Sequence, residues 1–501
     1  MSLDNLPVGW LKVSLSECLD IVRGASPRPK GDPKYFGGNI AWISIKDINA
    51  EKGRYLTTTR ETVTQLGAEK SRLLEEGSLI LSNSGSVCIP KILKIKGCIH
   101  DGFVTFPNLN KYFSADYFYH YFNYIRPAVI EANKQGVTQV NLNTEIVKGL
   151  DVILPSTPEQ QEIVRQLDAM LAQVEQIKAR LDAIPTILKK FRQSVLADAV
   201  SGKLTEEWRA QNTLKPIDIS NIYQEHEKYF KDKGVKKYQK PNEISIDNHP
   251  YDLPNSWSWF RAEQLCDLIT KGTTPSKDKM STNGEVPYIK VYNLTFDGTL
   301  DFTIEPTFIS KQTHDGELAR SKVFIGDVLM NIVGPPLGKV SIVPSQYKEW
   351  NINQAISIFR PVTGVKNKYL AICLMDTKLL EITIRKAKAT AGQSNLTLEI
   401  CRDFPIPIPP IEEQIEIIEL VNKLLGNASN IEKLVESAQK RVNLLTQSIL
   451  AKAFSGELTA EWREQHQDLI TGVNSAEALL AKIQAEREAS KPNKKVKKSK
   501  S

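Results

Sequence analysis

The side chains best suited to chemistry in this sequence are basic, hydroxyl and amide groups in loops rich in glycine and proline. In the first third of the chain they surround Gly24, follow a β-like run at Ile40 to Ile45, and recur after a second run at Leu79 to Ser82. Arginine and lysine contact phosphates or the edge of guanine, and amide side chains pair with adenine. The first set of candidate DNA contacts is Arg23, Ser26, Arg28, Lys30, Lys34, Lys46, Asn83, Ser84, Ser86, Gln139 and Asn141.

A second set of the same residue types lies in the second half of the chain, around Gly272 and in later loops. A single loop residue of this kind is ordinarily only solvated, so the interpretation depends on many of them recurring in corresponding loops. The second set is Lys271, Thr273, Thr274, Lys277, Lys290, Tyr292, Asn293, Asn331, Lys339, Asn353, Gln354, Gln393 and Asn395.

Catalytic motifs are missing from the sequence. The segment GPPLGKV, residues 334–340, resembles a phosphate-binding loop, but it has too few residues between its glycines and no hydroxyl residue after Lys339 to hold magnesium. There is no HExxH zinc motif and no GxGxxG motif after a strand, and the six cysteines form no CxxC pair. We therefore predict a non-enzymatic chain that binds no metal or cofactor of its own.

The net charge of +7 gives little support to nucleic-acid binding by itself. Six of these charges are lysines of the tail at residues 491–500, which leaves about +1 for the body of the chain. The tail is predicted to be a solvated terminus, with a loose phosphate contact as the alternative. No apolar run approaches the roughly 20 residues that span a bilayer, and Met1 to Trp10 do not resemble a signal peptide, so a cytoplasmic protein is expected.

The chain contains an internal repeat that organises these loops. Residues 193–209 (QSVLADAVSGKLTEEWR) return at residues 447–463 (QSILAKAFSGELTAEWR), at an offset of 254 and with 12 of 17 positions identical. Upstream, the blocks LPVGW and LPNSW, and the loops that begin at Gly24 and Gly272, correspond at slightly smaller offsets. Each half therefore has a divergent front and a better-preserved back.

The fronts mix short β-like runs with turns, which predicts α+β globular domains, whereas the backs predict long helices. The predicted boundaries are a first front domain at 1–150, a helix at 151–210, a linker with a short helix at 211–250, a second front domain at 251–404, a helix at 405–465, and a short helix with a basic tail at 466–501. We call the globular parts front domain 1 and front domain 2.

Apolar residues in the two backs follow a heptad pattern, with spacings of 4 and 3 that alternate throughout. This pattern predicts that the two helices pack as an antiparallel coiled coil, although Pro185 is expected to kink the first. The predicted seam is Ile163, Leu167, Met170, Val174, Ile177, Leu181, Ile184, Leu188, Phe191 and Val195, with Ile417, Val421, Leu424, Ala428, Ile431, Val435, Ala438, Val442, Leu445 and Ile449 at the same positions of the second helix.

Taken in order, these features resemble the specificity subunit of a type I restriction-modification enzyme. The resemblance covers nearly the whole chain and depends on the LPxxW openings, the Gly-x-Ser/Thr-Pro loops, the Gln-x-Asn-Leu blocks at 139–142 and 393–396, and the SGxLTxEWR ends. It implies two target-recognition domains that each read one half of a bipartite DNA site. It also implies that the helices form a spacer and a docking surface for two modification subunits, joined by restriction subunits.

The resemblance further implies that S-adenosylmethionine, ATP and Mg²⁺ act on the partner subunits. The candidate residues for docking those partners are Leu204, Thr205, Trp208, Arg209, Leu458, Thr459, Trp462 and Arg463. The 33 residues from Ile163 to Val195 would form a helix roughly 50 Å long, somewhat over one turn of B-DNA. Because the fronts differ in sequence, the two half-sites are expected to be unrelated.

Two other functions are compatible with the same helices. A coiled-coil scaffold with protein-binding ends would have an equivalent seam, but loops rich in lysine, arginine and amides favour nucleic acid over the aromatic anchors of protein interfaces. A stand-alone nuclease or single-chain restriction-modification enzyme would need catalytic motifs that the sequence lacks.

Overall fold

The chain folds into two compact units that each combine a front domain with parts of both long helices. A computed structural model describes residues 6–134, 141–215, 219–232, 234, 249–391 and 395–489. One unit comprises residues 1–182 and 437–501, and the other comprises residues 183–436. Within the described ranges, no helix is both long enough and apolar enough to cross a membrane. The predicted α+β class is confirmed.

Front domain 1 contains three sheets. The five-stranded sheet has the spatial order Val22–Arg23, Phe103–Thr105, Leu79–Ser82, Pro90–Leu93 and Tyr55–Leu56. The four-stranded sheet has the order Glu61–Val63, Phe36–Ile43, Gly97–Ile99 and Arg72–Leu74, and a two-stranded sheet pairs Leu11–Ser14 with Asp151–Leu154. The central strands are buried at every residue, which explains why their sequences are apolar without strict alternation.

Short helices cover these sheets, and one longer helix forms much of the core. The longer helix, Ala115–Ala132, buries Tyr117, Phe118, Tyr121 and Phe122, and the first and third of these rings pack against Phe454. The other helices of this unit, apart from the long ones, are Leu15–Cys18, Ile45–Ala50, Gln65–Glu69, Leu109–Tyr112, Thr144–Lys148, Ala460–Gln465, Gln467–Ile470 and Ala476–Ala489, with a 3₁₀ turn at Gly472–Asn474.

Front domain 2 repeats the plan of front domain 1 with two four-stranded sheets and one two-stranded sheet. The first sheet has the order Cys266–Lys271, Ile356–Pro361, Val328–Asn331 and Val340–Ile342. The second has the order Phe308–Ile309, Val286–Ile289, Glu349–Ile352 and Lys322–Phe324, and Ser258–Arg261 pairs with Pro405–Ile408. The helices of this unit, apart from the long ones, are Glu206–Gln211, Ile219–Asp232, Ala262–Leu265, Lys311–Asp315, Asn367–Met375, Thr377–Ala391 and Leu398–Arg402, with 3₁₀ turns at Lys277–Lys279, Val291–Asn293 and Ala319–Ser321.

The two predicted long helices are present as Thr157–Ser201 and Ile411–Phe454. We call them long helix 1 and long helix 2. Long helix 1 is continuous through Pro185. The predicted short helices after each long helix are also present, at Ile219–Asp232 and Ala476–Ala489. All six cysteines are buried and free, as expected for small apolar residues.

The long helices pack antiparallel within each unit. In the first unit, Ile163, Leu167 and Val174 near the start of long helix 1 share a core with Val442 and Ile449 near the end of long helix 2. In the second unit the roles are reversed, and the buried residues are Val195, Leu196, Ala199, Val200, Ile417 and Val421. The antiparallel coiled coil is therefore confirmed.

Five of the twenty predicted seam residues are exposed, and Leu181, Ile184, Leu424 and Ala438 are half-buried. Met170, Ile177, Phe191, Ile431 and Leu445 keep 36–46% of their surface exposed. Among the predicted seam residues after Ile163 and Ile417, the buried ones are Leu167, Val174, Leu188 and Val195 in long helix 1 and Val421, Ala428, Val435, Val442 and Ile449 in long helix 2. They share one heptad position, at which Leu181 is half-buried. One apolar position of each heptad is therefore largely buried between the helices, and the other keeps more of its surface exposed.

Candidate DNA-reading surfaces

In front domain 1, several of the predicted DNA contacts line one half-open cavity of about 180 Å³. Its polar and basic lining includes Ser26, Arg28, Lys30 and Lys46. The remaining lining residues are Pro27, Phe36, Trp42, Ser44, Ile45, Glu61 and His100. A concave basic surface with aromatic walls suits the edge of a base and its phosphate.

Close packing of the Gly24 loop brings these residues together. A Cβ atom at Gly24 would lie 2.3 Å from the backbone oxygen of His100, so only glycine lets the loop approach so closely. Ser26 Oγ donates to Asp101 Oδ1 at 2.8 Å, and Arg23 Nε donates to the Asp101 backbone oxygen at 2.8 Å. Arg28 reaches the other carboxylate oxygen of Asp101 at 3.4 Å, while 71% of its side chain stays exposed.

Burial, a hydrogen bond and nearby charges shift the pKa values of Asp101 and His100 in this loop. Burial alone would raise the pKa of Asp101, but the Ser26 hydroxyl, His100 and the arginines outweigh it, so that the pKa lies below its ordinary value. Burial lowers the pKa of His100, and Lys30, Arg28 and Arg23 lower it further against the opposing effect of Asp101. Asp101 therefore orients Arg23 through its backbone oxygen and Arg28 through its carboxylate.

The other predicted contacts of front domain 1 occupy two further positions. Ser86 Oγ accepts from Asn49 Nδ2 at 3.1 Å, and the backbone N–H of Leu142 donates to Asn83, which places exposed Asn141 beside the 83–86 loop. Ser84 is partly exposed in that loop, and Lys34 is exposed with its ammonium group 5.7 Å from the centre of the Tyr35 ring.

Front domain 2 builds an equivalent loop cluster from different side chains. A Cβ atom at Gly272 would lie 2.1 Å from the Asn353 backbone oxygen, the counterpart of the contact at Gly24. Arg320 donates to Thr273 Oγ1 through Nε at 3.1 Å and through a terminal nitrogen at 3.0 Å. The backbone N–H of Gln354 donates to Thr274 Oγ1 at 3.4 Å.

The remaining contacts predicted for front domain 2 follow the same loops. Asn395 Oδ1 accepts from the backbone N–H of Gly334 at 3.1 Å, and Lys339 Nζ lies 3.5 Å from the backbone oxygen of Val291. Lys290 Nζ lies 5.7 Å from the centre of the Tyr292 ring. Lys271, Lys277 and Gln354 are exposed, and Asn353 is partly exposed.

Three asparagines of the predicted sets are buried and belong to the interior. Asn83, Asn293 and Asn331 are 4%, 1% and 1% exposed. Asn293 accepts from the Lys290 N–H and donates to two backbone oxygens, and Asn331 joins Lys339 N–H to the Pro336 oxygen. The side chains of Asn293 and Asn331 thus hold loops in shape, whereas Asn83 Oδ1 is buried without a hydrogen-bond partner among the described residues. Gln139 and Gln393 lie outside the described residues.

The conserved ends of the repeat form a buried hydrogen-bond network within each unit. In the first unit, the Glu159 carboxylate accepts from Trp10 Nε1 at 2.8 Å, Thr459 Oγ1 at 2.8 Å and Arg463 Nε at 3.0 Å. Arg463 also donates to the Gly456 oxygen at 2.5 Å, and its guanidinium lies 5.3 Å from the centre of the Trp10 ring. Glu159 is 1% exposed.

The second unit repeats this network with residues from the other copy. Glu413 accepts from Trp257 Nε1 at 2.8 Å, Thr205 Oγ1 at 2.7 Å and Arg209 at 2.5 Å. Thr205 and Thr459 are 1% and 0% exposed, so neither is available to a partner protein. The docking predictions for these threonines, and for Arg209 and Arg463, are corrected to internal roles.

The other docking candidates are half-buried. Leu204 and Leu458 pack against the hydrophobic cores of their units, and Trp208 and Trp462 are outside the two carboxylate networks. Sequence reasoning missed Glu159 and Glu413, although both stand at the repeat offset of 254 beside the helix starts. It also missed the pocket residues Trp42 and His100 and the loop residue Arg320. No motif marks these three, because only the fold brings them to the loops.

One group of potential metal ligands occurs among the described residues, at His314, Asp315 and Glu349. Lys311 pairs with both carboxylates, and Lys322 pairs with Asp315. The two ammonium groups already neutralise the site, which therefore lacks the excess negative charge that attracts a cation.

Comparison with known proteins decides the family. A family profile described as "Type I restriction modification DNA specificity domain" matches residues 7–186 and 254–438. The chain belongs to this family. The type I restriction enzyme EcoDI specificity subunit of Escherichia coli is 31% identical over 495 residues, which cover 98% of each chain. The EcoBI specificity subunit of the same organism is 36% identical over 366 residues, which cover 72% of this chain and 70% of that one.

Solved structures support the fold. The HsdS subunit from Thermoanaerobacter tengcongensis matches with a TM-score of 0.52 at 18% identity, covering 90% of this chain and 98% of that one. A chain from a study of assembly and conformational transition of the type I R-M system matches with a TM-score of 0.63 at 16% identity, covering 90% and 98%. The chain is thus a non-catalytic DNA-specificity subunit with two recognition domains, and the scaffold alternative is not favoured.

Proposed function

We propose that front domain 1 and front domain 2 each read one half of an asymmetric, bipartite DNA site. The observation that supports this is a pair of equivalent loop clusters with different side chains. The turns that follow strands Phe36–Ile43 and Val286–Ile289 correspond in sequence, yet Ser44 and Lys46 in the first are replaced by Lys290 and Tyr292 in the second. Different groups in the same frame imply different base preferences.

The long helices are proposed to set the spacer between half-sites and to dock two methyltransferase subunits, which restriction subunits join for cleavage. Exposed apolar side chains on these helices, such as Ile177 and Leu444, and the half-buried Trp208 and Trp462 support a protein-binding role. S-adenosylmethionine, ATP and Mg²⁺ would act on the partner subunits, and the complex would work in the cytoplasm.

Domain exchange tests the reading function. Residues 1–150 are replaced by the front domain of another family member, and the methylated motif of a host that carries the whole system is sequenced. We expect one half-site to change and the other to persist, because each loop cluster is built within one front domain. A change in both halves would contradict independent reading, and the purified chain alone is expected to show neither methylation nor cleavage.

A matched deletion in the long helices tests the spacer. Removing residues 176–182 and 430–436, which are equivalent at the offset of 254, keeps the heptad register. Each helix loses about 10 Å of length, so the spacer should change by about three base pairs. Sequencing the methylated motif after confirming assembly measures this change, and an unaltered spacer would show that the helices do not set it.

A further inference from the structure

Front domain 2 presents an aromatic ring to solvent beside its candidate DNA contacts. Phe296 is 56% exposed and lies just after the Val291–Asn293 turn that carries Tyr292. The Lys339 ammonium group lies 5.8 Å from the centre of the Phe296 ring. A large apolar side chain in such a basic loop cluster has a place in nucleic-acid binding, where aromatic rings contact bases between phosphate-binding cations.

The turn that carries Phe296 is fixed by its own hydrogen bonds. Asp297 Oδ1 accepts from Thr295 Oγ1 at 2.5 Å, from Thr299 Oγ1 at 2.6 Å and from the Thr299 N–H at 3.0 Å. Thr295 Oγ1 also reaches the Thr299 oxygen at 2.7 Å, and Gly298 supplies a positive φ of 88°. The Asp297 carboxylate is therefore occupied within the turn.

The same turn is anchored to the sheet of front domain 2. The Thr295 oxygen accepts from the Val340 N–H at 3.0 Å, and the Gly298 oxygen accepts from the Ile342 N–H at 3.0 Å. Ser341 Oγ accepts from the Thr295 N–H at 3.2 Å. The backbone that carries the exposed ring is thus held in place before any ligand binds, which reduces the entropy lost on contact.

Front domain 1 has no aromatic ring at this position. The sequence blocks that align at an offset of 246 place Ala50 opposite Phe296. The strand pairing places Lys91 where front domain 2 has Ser341, and buried Lys91 donates to the Glu51 oxygen at 2.6 Å and to the Gly53 oxygen at 2.5 Å. The two domains therefore support the same turn differently, and the position of Phe296 is aromatic in front domain 2 and alanine in front domain 1.

We propose that Phe296 is a specificity-determining residue whose ring makes an apolar contact with a base of the half-site read by front domain 2. This assignment rests on the proposed function, in which that domain reads DNA. The contact is either with a thymine methyl group in the major groove or with the face of a base at a partly unstacked step. Both use the same exposed, pre-positioned ring.

The test compares F296A with F324A in the complex of the full chain with its modification subunits. F296A gives the turn the alanine found in front domain 1. Phe324 is a matched control because it is 39% exposed and has the Arg360 guanidinium 4.8 Å from its ring centre. We expect F296A to weaken binding of the cognate duplex about tenfold and to relax one position of the second half-site, whereas F324A and F296Y stay within about twofold.

Two DNA probes distinguish the two modes of contact. Replacing thymine by deoxyuridine in the second half-site removes the methyl group. If this change costs the wild-type protein as much affinity as F296A loses on the thymine duplex, and costs F296A none, the contact is with the methyl group. 2-Aminopurine at the same positions brightens on unstacking, and brightening that F296A abolishes identifies contact with a base face. Either result supports the proposal.

The outcomes also separate this assignment from the proposed function. If exchanging residues 251–404 changes the second half-site while F296A binds and methylates like F324A, Phe296 is not a DNA contact and only this assignment is overturned. The assignment of Phe296 alone is also overturned if F296A loses affinity solely because the modification subunits no longer assemble. If the domain exchange leaves the motif unchanged, the proposed function itself fails.

Discussion

Glu159 in the first unit and Glu413 in the second each accept hydrogen bonds from a tryptophan, a threonine and an arginine at corresponding positions of the repeat. The reading loops of the same two units share a backbone frame but differ in almost every exposed side chain. A buried carboxylate tolerates little change because each lost partner leaves a polar group unpaired. The comparison teaches that the interior keeps the repeat alike, while solvent-exposed loops are free to diverge.

The preserved SGxLTxEWR segments therefore have a structural explanation that does not need a partner protein. In the first unit the segment around Gly456 packs against the opening of the same unit, since a Cβ atom at Gly456 would lie 2.2 Å from the Pro7 ring. In the second unit a Cβ atom at Gly202 would lie 2.6 Å from the Pro254 ring. Glycine with a positive φ is required at both positions.

Removing either buried carboxylate should produce the largest effect that the comparison predicts. E159A leaves Arg463, 13% exposed at its side chain, and the Trp10 indole without their acceptor, at a cost of about 3 kcal/mol. E413A should cost the same in the second unit. Hydrogen exchange measures the change as faster exchange in residues 456–463 for E159A and in residues 202–209 for E413A.

The control for this pair is E412A, which removes an exposed carboxylate next to Glu413 and should change stability by less than about 0.5 kcal/mol. Equal loosening of both segments by one substitution would show that the networks are not independent. A change in hydrogen exchange no larger than that of E412A would show that the two buried carboxylates are not needed to hold these segments in place.

Most of the architecture could be predicted from periodicity and repetition. The long helices, their antiparallel packing and the short helices behind them follow from a pattern present twice. The exposed fraction of each apolar side chain on the long helices could not be predicted, because a heptad pattern does not say how much of each residue the partner helix covers. Phe191 fits the pattern as well as Leu188 does, yet it is 39% exposed against 6% for Leu188.

The candidate site was predicted at the level of loops and less well at the level of side chains. Ser26, Arg28, Lys30 and Lys46 line one cavity as their clustering suggested. Asn331 has the residue type of a base contact, but its amide spans the 331–339 loop from inside. Residue type alone cannot distinguish an amide that reads DNA from one that replaces a backbone hydrogen bond.

The two units also differ in how a front domain is fastened to a long helix. In the first unit, Arg54 pairs with Asp116 at 2.6 Å and with Asp168 of long helix 1, and His120 lies 2.8 Å from the same Asp168 carboxylate. In the second unit, the counterpart of Asp168 is the exposed Asn422. Tyr369 is equivalent to Tyr117, because their hydroxyl groups donate to the backbone oxygens of the corresponding residues Pro407 and Ile153. Ile372, three residues after Tyr369, therefore takes the place of His120. The first unit thus has a charged cluster at this position, whereas in the second unit Ile372 belongs to the apolar core that also contains Ile417 and Val421.

A smaller difference in stability is expected when the equivalent residues Asp168 and Asn422 are substituted. D168N should loosen front domain 1 by about 1 kcal/mol, because Arg54 keeps Asp116 and the 40% exposed Asp168 side chain is screened by water. Local opening measured by hydrogen exchange in residues 115–132 reports the loss at neutral pH. N422A, the matched change in the second unit, should leave exchange in residues 367–375 unchanged, and equal effects from both would contradict a charge-specific contact.

The pH dependence of the D168N effect provides the sharper test of charge. Burial alone would raise the pKa of Asp168, but His120 and Arg54 outweigh it and lower the pKa from 3.8 to about 2. A lowered pKa in the folded state adds stability above the unfolded value, and that stability is lost as the pH falls from about 4 towards 2. The difference between wild type and D168N should therefore shrink as the pH falls below about 4, whereas a purely steric effect would persist.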